Sequence, residues 1–122
     1  MKSMSRKGMH IIEHFEVALY EKEGDEGEAI SFVYEDGKCG MNHYYWGGEE
    51  EYERNRDGIV EANYIWDEGN TQKLMQCTGT HNGKDLLKAM YEHFVEKESS
   101  ADLYVLGFCD KHGIKYDKQV WY

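Results

Sequence analysis

Hydrophobic positions alternate with polar ones through the first half of the chain, which is the period of half-buried β-strands. Three strands are predicted before residue 47. The first has its apolar positions at Ile11, Phe15, Val17 and Leu19, and the second at Ile30, Phe32 and Tyr34. The third is predicted to run from Cys39 to about Trp46. Asp36-Gly37 is a favoured hairpin pair because both central residues of the turn need positive φ. A fourth strand is predicted over Ile59 to Trp66 and a fifth over Thr71 to Thr78, with a turn at residues 67–70 between them.

The apolar spacing changes from two residues to three or four after residue 80, which indicates helices. The first helix has an apolar stripe at Leu86, Leu87, Met90, Tyr91, Phe94 and Val95. Asn82 is its predicted N-cap, and Ser99 with Asp102 begins a second helix by the same reasoning. The second helix is predicted to direct Leu103, Leu106 and Cys109 inward and to stop at Gly113, before a last strand over residues 114–122.

Strands in a block followed by helices indicate an α+β fold. We therefore expect an antiparallel sheet of about five or six strands with two C-terminal helices packed on one face. The 122 residues are expected to form a single domain, in which residues 1–9 are a flexible basic N-terminus.

Negative charge is concentrated in one half of the chain. The net charge is −10, and residues 13–68 hold 17 Asp or Glu against four Lys or Arg. Such a field repels nucleic acid and anionic lipid, so direct binding of nucleic acid or of a membrane is not predicted. The predicted partner is a basic protein, for example one with a nucleic-acid-binding or nuclease site. Three cysteines without a paired framework, and no signal-peptide or membrane-spanning pattern, predict a cytoplasmic location.

A partner-binding surface is predicted where acidic and aromatic residues follow one another. Its residues are Tyr44, Trp46, Glu49, Glu50, Glu51, Glu53, Tyr64 and Trp66. Tyr and Trp are enriched at interface hot spots, and carboxylates could occupy the positions of nucleic-acid phosphates on a basic site. The alternative without a binding function is that the aromatic residues pack across neighbouring strands beside a solvated acidic loop.

An alternative site is the connection predicted between the fifth strand and the first helix, formed by Thr80, His81, Asn82, Gly83 and Lys84. Backbone N–H groups, hydroxyls and a lysine at a helix start could hold an anionic nucleotide. The segment lacks the spacing of a P-loop or of a dinucleotide fingerprint. It also has the composition that any capped turn before a helix needs.

Cysteine and histidine are close in sequence at Cys39/His43, Cys77/His81 and Cys109/His112, which invites a zinc interpretation. The first pair would lie about 13 Å apart along one strand, too far for one ion. We therefore predict no metal, and no cofactor is indicated. His43 and His81 with nearby acids could form an acid–base pair, but no catalytic motif is present, so an enzyme is not predicted.

The predicted function is that of an acidic inhibitor or antagonist, similar in size and charge to toxin-neutralising immunity proteins and phage anti-defence proteins. It would bind a partner's basic functional site through the acidic, aromatic surface, as a nucleic-acid mimic. The alternative is a domain that binds or sequesters an anionic nucleotide at residues 80–84. Homo-oligomerisation, for example through the C-terminal edge strand, is left open.

Overall fold

The computed structural model describes residues 12–46 and 59–121, so the predicted flexible segment at residues 1–9 lies outside it. Five strands form one antiparallel sheet in the order β1-β2-β3-β4-β5. They are β1 (His14–Lys22), β2 (Gly27–Glu35), β3 (Lys38–Trp46), β4 (Ile59–Trp66) and β5 (Asp117–Trp121). Between β4 and β5 lie α1 (Glu68–Thr78), α2 (Gly83–Phe94), a 3₁₀ helix (Val95–Ser100) and α3 (Ala101–Lys111). No helix within these ranges is long and apolar enough to cross a membrane.

The α+β class and the antiparallel sheet are confirmed. Strand β4 occupies the residues that alternation predicts, and the turn before β3 has φ of 51° at Asp36 and 94° at Gly37. Asn82 caps α2 as predicted, because its Oδ1 accepts a hydrogen bond of 2.8 Å from the backbone N–H of Asp85.

The predicted fifth strand over residues 71–78 is wrong, because this segment is most of helix α1. Asp67, which was assigned to a turn, is the N-cap, and its side chain accepts a hydrogen bond of 2.9 Å from the N–H of Asn70. Thr71 and Leu74, three residues apart, are buried on one side of the helix. Capping and helical spacing therefore determine the structure of this segment.

The hydrophobic core lies between one face of the sheet and the three α-helices. The sheet contributes Leu19, Ile30, Phe32, Tyr34, Cys39, Met41, Tyr64 and Trp66, and the helices contribute Leu74, Leu86, Leu87, Met90, Phe94, Ala101, Val105 and Cys109. Burying a large apolar side chain stabilises a fold by about 1.5–3 kcal/mol. This layer therefore supplies most of the driving force for folding.

Helix α2 approaches the sheet most closely at Gly83. A Cβ atom at this position would lie 2.2 Å from the ring of Tyr34, closer than any real contact. Glycine is therefore required where the first turn of α2 crosses β2.

The predicted orientation of α3 is right for two residues and wrong for one. Cys109 is buried and the partly buried Leu106 packs against the core, as predicted, but Leu103 is 64% exposed, and Asp102 is buried beside it. The helix is thus turned so that a carboxylate faces the core, and the partner of that carboxylate is described below.

Backbone strain is concentrated at Glu98, in the 3₁₀ helix before α3. Its φ of 52° and ψ of −126° lie in a region that favours glycine. We expect Glu98→Gly to raise the free energy of unfolding by about 1 kcal/mol, measured by urea denaturation. Glu96→Gly, in the same segment but without positive φ, should lower it. A loss of stability in both variants would contradict this interpretation.

Candidate functional site

The sheet face opposite the helices is the main surface on which a partner could bind. All three α-helices pack against the other face, and residues paired across neighbouring strands point to the same side. We call this surface the open face. Its residues are His14, Glu16, Ala18 and Glu21 of β1, Ala29, Ser31, Val33 and Glu35 of β2, Lys38, Gly40, Asn42, Tyr44 and Trp46 of β3, Glu61, Asn63 and Ile65 of β4, and Asp117 and Gln119 of β5.

A small amide network crosses the centre of the open face. The side-chain amide of Asn42 donates hydrogen bonds of 2.7 Å to Glu61 Oε2 and 2.6 Å to Asn63 Oδ1. These bonds join the side chains of β3 and β4, in addition to the backbone ladder. The polar groups are consequently held in fixed positions before any partner arrives.

A depression of about 260 Å³ lies beside this network, at Gly40. Glycine leaves a gap between Val33 on one neighbouring strand and Ile65 on the other. Asn63 and Gln119 complete the lining with amide groups. Ile65 is 41% exposed, so the apolar rim is accessible, and the depression can receive one protruding side chain.

Tyr44 and Trp46, predicted as partner-binding residues, both lie on the open face and are half-buried. Their ring centroids are 5.7 Å apart. The indole N–H of Trp46 donates a hydrogen bond of 3.0 Å to the carbonyl of Gly24, and the ring covers Gly27 so closely that a Cβ there would clash. Trp46 is therefore held in one orientation, which lowers the entropy it would lose on binding.

Tyr64 and Trp66 were also predicted to contact a partner, and for these two residues the prediction is wrong. They point to the helix side and are only 5% and 0% exposed. Strand register explains the difference, since Tyr64 is paired with the inward-facing Met41. The ring of Trp66 packs against Phe32 at a centroid distance of 5.5 Å. The predicted contacts Glu49, Glu50, Glu51 and Glu53 lie outside the described residues.

The open face is acidic within the described part of the chain. Five carboxylates, from Glu16, Glu21, Glu35, Glu61 and Asp117, share it with one lysine, Lys38, and one histidine, His14. The hydrogen bond of His14 to Glu35 (2.8 Å) raises the pKa of this histidine, against a smaller effect of desolvation. The carboxylates on the outer strands and those near the centre have the same sign, so their potentials add.

A buried ion cluster lies on the opposite side of the sheet. Nδ1 of His43 donates to Asp102 Oδ2 and Nε2 donates to Glu28 Oε2, both at 2.5 Å. The side chains of His43 and Asp102 are each 6% exposed and that of Glu28 is 18% exposed. The ring of Tyr45 stacks on the imidazole at 4.5 Å. We call these three residues, Glu28, His43 and Asp102, the histidine cluster.

The histidine cluster acts as a tie between secondary-structure elements. Burial by itself lowers the pKa of His43, but the hydrogen bonds that its ring donates to Asp102 and Glu28 outweigh that effect, and the net result is a raised pKa. A protonated imidazole uses both ring N–H groups on the two carboxylates, so neither nitrogen is free to act on a substrate. Sequence reasoning grouped His43 with Cys39 instead. The signal for its true partner was Asp102, an acid in an otherwise apolar stretch of helix.

The Cys/His pairs that invite a zinc interpretation do not converge on a common site. Within residues 12–46 and 59–121, no group of three or more His, Cys, Asp or Glu side chains is placed to hold a metal ion. Cys39, Cys77 and Cys109 are free thiols, and burial raises the pKa of Cys39 to about 12 and that of Cys109 to about 11. These two thiols are therefore protonated in the core.

Residues 80–84, the predicted nucleotide site, connect α1 to α2 and do not follow a strand. Asn82 occupies the helix start with its own cap, and its amide also donates to the carboxylate of Asp85 at 3.0 Å. Gly83 is covered by Tyr34. The space and the N–H groups that an anion would need at this turn are thus partly taken, and a carboxylate stands beside them.

Removing the cation of the histidine cluster should destabilise the fold. His43→Gln leaves the buried carboxylate of Asp102 and the partly buried carboxylate of Glu28 without a cation, and we expect it to lower the free energy of unfolding by about 3 kcal/mol near neutral pH. In the wild type, the pKa of His43 is higher in the folded than in the unfolded protein, where it is 6.5. Its contribution to the free energy of unfolding is therefore complete below pH 6.5 and is lost as the pH rises through the folded-state pKa. Urea unfolding as a function of pH measures both effects.

The matched control is His14→Gln, which removes an exposed histidine. This variant should still lose most of the stability that the wild type loses as the pH rises above 6.5. A His43→Gln variant that loses stability above pH 6.5 as steeply as the wild type does would contradict the assignment.

Comparisons with protein-family models, with curated proteins and with solved structures find no match to this chain. Its function has to be inferred from the open face and from the groups around it.

Proposed function

We propose that the protein is a non-enzymatic antagonist that binds the basic functional site of another protein through its open face. The observation that carries the proposal is the combination of five carboxylates, the neighbouring rings of Tyr44 and the anchored Trp46, and a depression on one sheet surface. Each of the three features has a separate role in binding.

The carboxylates supply the attraction. They are distributed over β1, β2, β4 and β5, and adjacent strands lie about 4.8 Å apart. Negative groups spread over four strands of one sheet face suit a surface on which Lys and Arg side chains are arranged to bind phosphates. Electrostatic attraction of this kind raises the association rate and favours basic partners over acidic ones.

The aromatic rings and the depression supply a centre from which water can be excluded. Tyr44 and Trp46 combine a large apolar area with a polar group, which is typical of hot-spot residues. The depression at Gly40 offers a place for a side chain of the partner, with apolar contact from Val33 and Ile65. Desolvated contacts of this kind slow dissociation, whereas the surrounding charges affect association.

The four glutamates Glu49, Glu50, Glu51 and Glu53 follow Trp46 closely in the chain. They remain part of the predicted contact surface on the basis of sequence. The proposal does not depend on them, because the open face already carries its own carboxylates.

Charge reversal on the open face tests the electrostatic part of the proposal. Partners are captured from the native host with wild-type protein and with Glu16→Lys/Glu35→Lys. The control, Glu92→Lys/Glu96→Lys, makes the same change in net charge on the helix side, where both residues are exposed. We expect the open-face variant alone to lose the partner.

For the purified complex, the association rate should fall at least about tenfold when salt is raised from low to roughly physiological strength and above. Equal capture by the two double variants, or an association rate independent of salt, would contradict docking through the open face.

Filling the depression tests the contact part of the proposal without changing charge. A Cβ at Gly40 would meet the carbonyl oxygen of Tyr64 at 3.6 Å, an ordinary contact, so Gly40→Val should fold normally. We expect it to weaken binding of the captured partner by about tenfold or more, mainly through faster dissociation. The control Gly69→Ala, on α1, should bind like the wild type. Unchanged affinity of Gly40→Val would remove the depression from the interface.

A further inference from the structure

Helix α3 exposes apolar residues over most of its length, where surface helices are normally polar, and its exposed charged residues, Asp110 and Lys111, are confined to the last turn. Its outward-facing residues include Leu103 and Tyr104, which are 64% and 51% exposed, together with Gly107 and the half-buried Phe108. The carboxylate in its first turn, Asp102, is used inside the protein by His43. The outer side of α3 therefore presents apolar groups to solvent for more than one turn.

These residues line a groove of about 490 Å³, which Phe94 and Lys111 complete. Gly107 forms a gap in its wall, since a Cβ added there would have no atom within 4 Å. Leu103 protrudes one helical turn before this gap. A protruding side chain, Leu103, and a gap, at Gly107, thus lie four residues apart on one face of the same helix.

A knob and a hole on one surface are complementary to a second copy of that surface. If two α3 helices pack antiparallel about a two-fold axis between positions 103 and 107, Leu103 of each copy enters the gap at Gly107 of the other. Glycine at the crossing also allows the two helix backbones to approach closely. The contact is made twice, as a two-fold axis requires.

One pair of opposite charges at the ends of α3 suits the same arrangement. The acidic Glu98 lies just before the helix and the basic Lys111 ends it, and both are exposed, whereas the exposed Lys97 beside Glu98 has its ammonium 4.5 Å from the centre of the Tyr104 ring. Antiparallel packing brings Glu98 of one copy towards Lys111 of the other, again twice. The helix dipoles are antiparallel as well, which is the favourable orientation.

We propose that the outer side of α3 is a self-association surface through which two copies of the chain form a two-fold symmetric dimer. The surface is separate from the open face, because α3 packs on the opposite side of the sheet. The dimer therefore does not depend on the proposed antagonist function, and it leaves both open faces available.

Sedimentation velocity over a range of protein concentrations tests the proposal. We expect a species of twice the 14.3 kDa chain mass for the wild type. Leu103→Asp and Gly107→Leu should each raise the dissociation constant at least about tenfold. Both positions are exposed, so the circular dichroism spectrum and the melting temperature of the monomer should be retained. Ile65→Asp, which changes an exposed apolar residue on the open face, should dimerise like the wild type.

A charge swap tests the antiparallel orientation. Glu98→Lys and Lys111→Glu each place like charges together twice and should weaken the dimer, whereas the double variant Glu98→Lys/Lys111→Glu should restore it. A wild type that is monomeric at every concentration overturns the proposal. A dimer that persists in Leu103→Asp and Gly107→Leu, as one paired through an edge strand would, also overturns it. A monomer whose α3 groove binds a different protein overturns it as well.

Discussion

The imidazole of His43 is the group on which the orientation of helix α3 depends. It connects β2, β3 and α3, and its partner Asp102 is 59 residues away in the chain. A carboxylate can be buried at this depth only if it is paired, so α3 has one rotation that satisfies Asp102. Because successive helical residues are about 100° apart, turning Asp102 towards His43 turns Leu103 and Tyr104 towards solvent. The apolar outer side of α3 is thus a direct consequence of the buried ion cluster.

Alternation in the strands has a similar consequence for the sheet. Once Phe32, Met41 and Trp66 fill the helix side, the residues between them must face the other way. The charged and amide groups of the open face occupy those positions, together with the gap at Gly40. The two proposed binding surfaces therefore lie on opposite sides of one layered structure. A dimer formed through α3 would carry two open faces, and a partner with two sites could bind both with increased avidity.

The local pattern predicted much of the fold, because strands β1 to β4, the Asp36-Gly37 turn and the Asn82 cap all depend on near neighbours in the chain. It failed for residues 71–78, where the cap at Asp67 was assigned to a turn and the helical spacing of Thr71 and Leu74 was overlooked. Tyr64 and Trp66 show a different limit. Alternation establishes which residues share a face of a strand, but the pairing of Tyr64 with Met41 decides that this face is the inner one. Such register depends on contacts between strands, which a single strand does not encode.

The inward placement predicted for Leu103 is wrong, because the usual rule that Leu faces the core and Asp faces solvent does not hold at the start of α3. The exception required a second buried ionisable group, and His43 at an inward position of β3 was that group. An inward histidine in one element and a carboxylate within an apolar helix are each costly alone and become compatible only as a pair. The amide network of Asn42, Glu61 and Asn63 lies on the other side of the sheet and shares no hydrogen bond with the histidine cluster. Loss of the His43 charge therefore acts first on the packing of α3, whereas the side-chain bonds that order the open face stay in place.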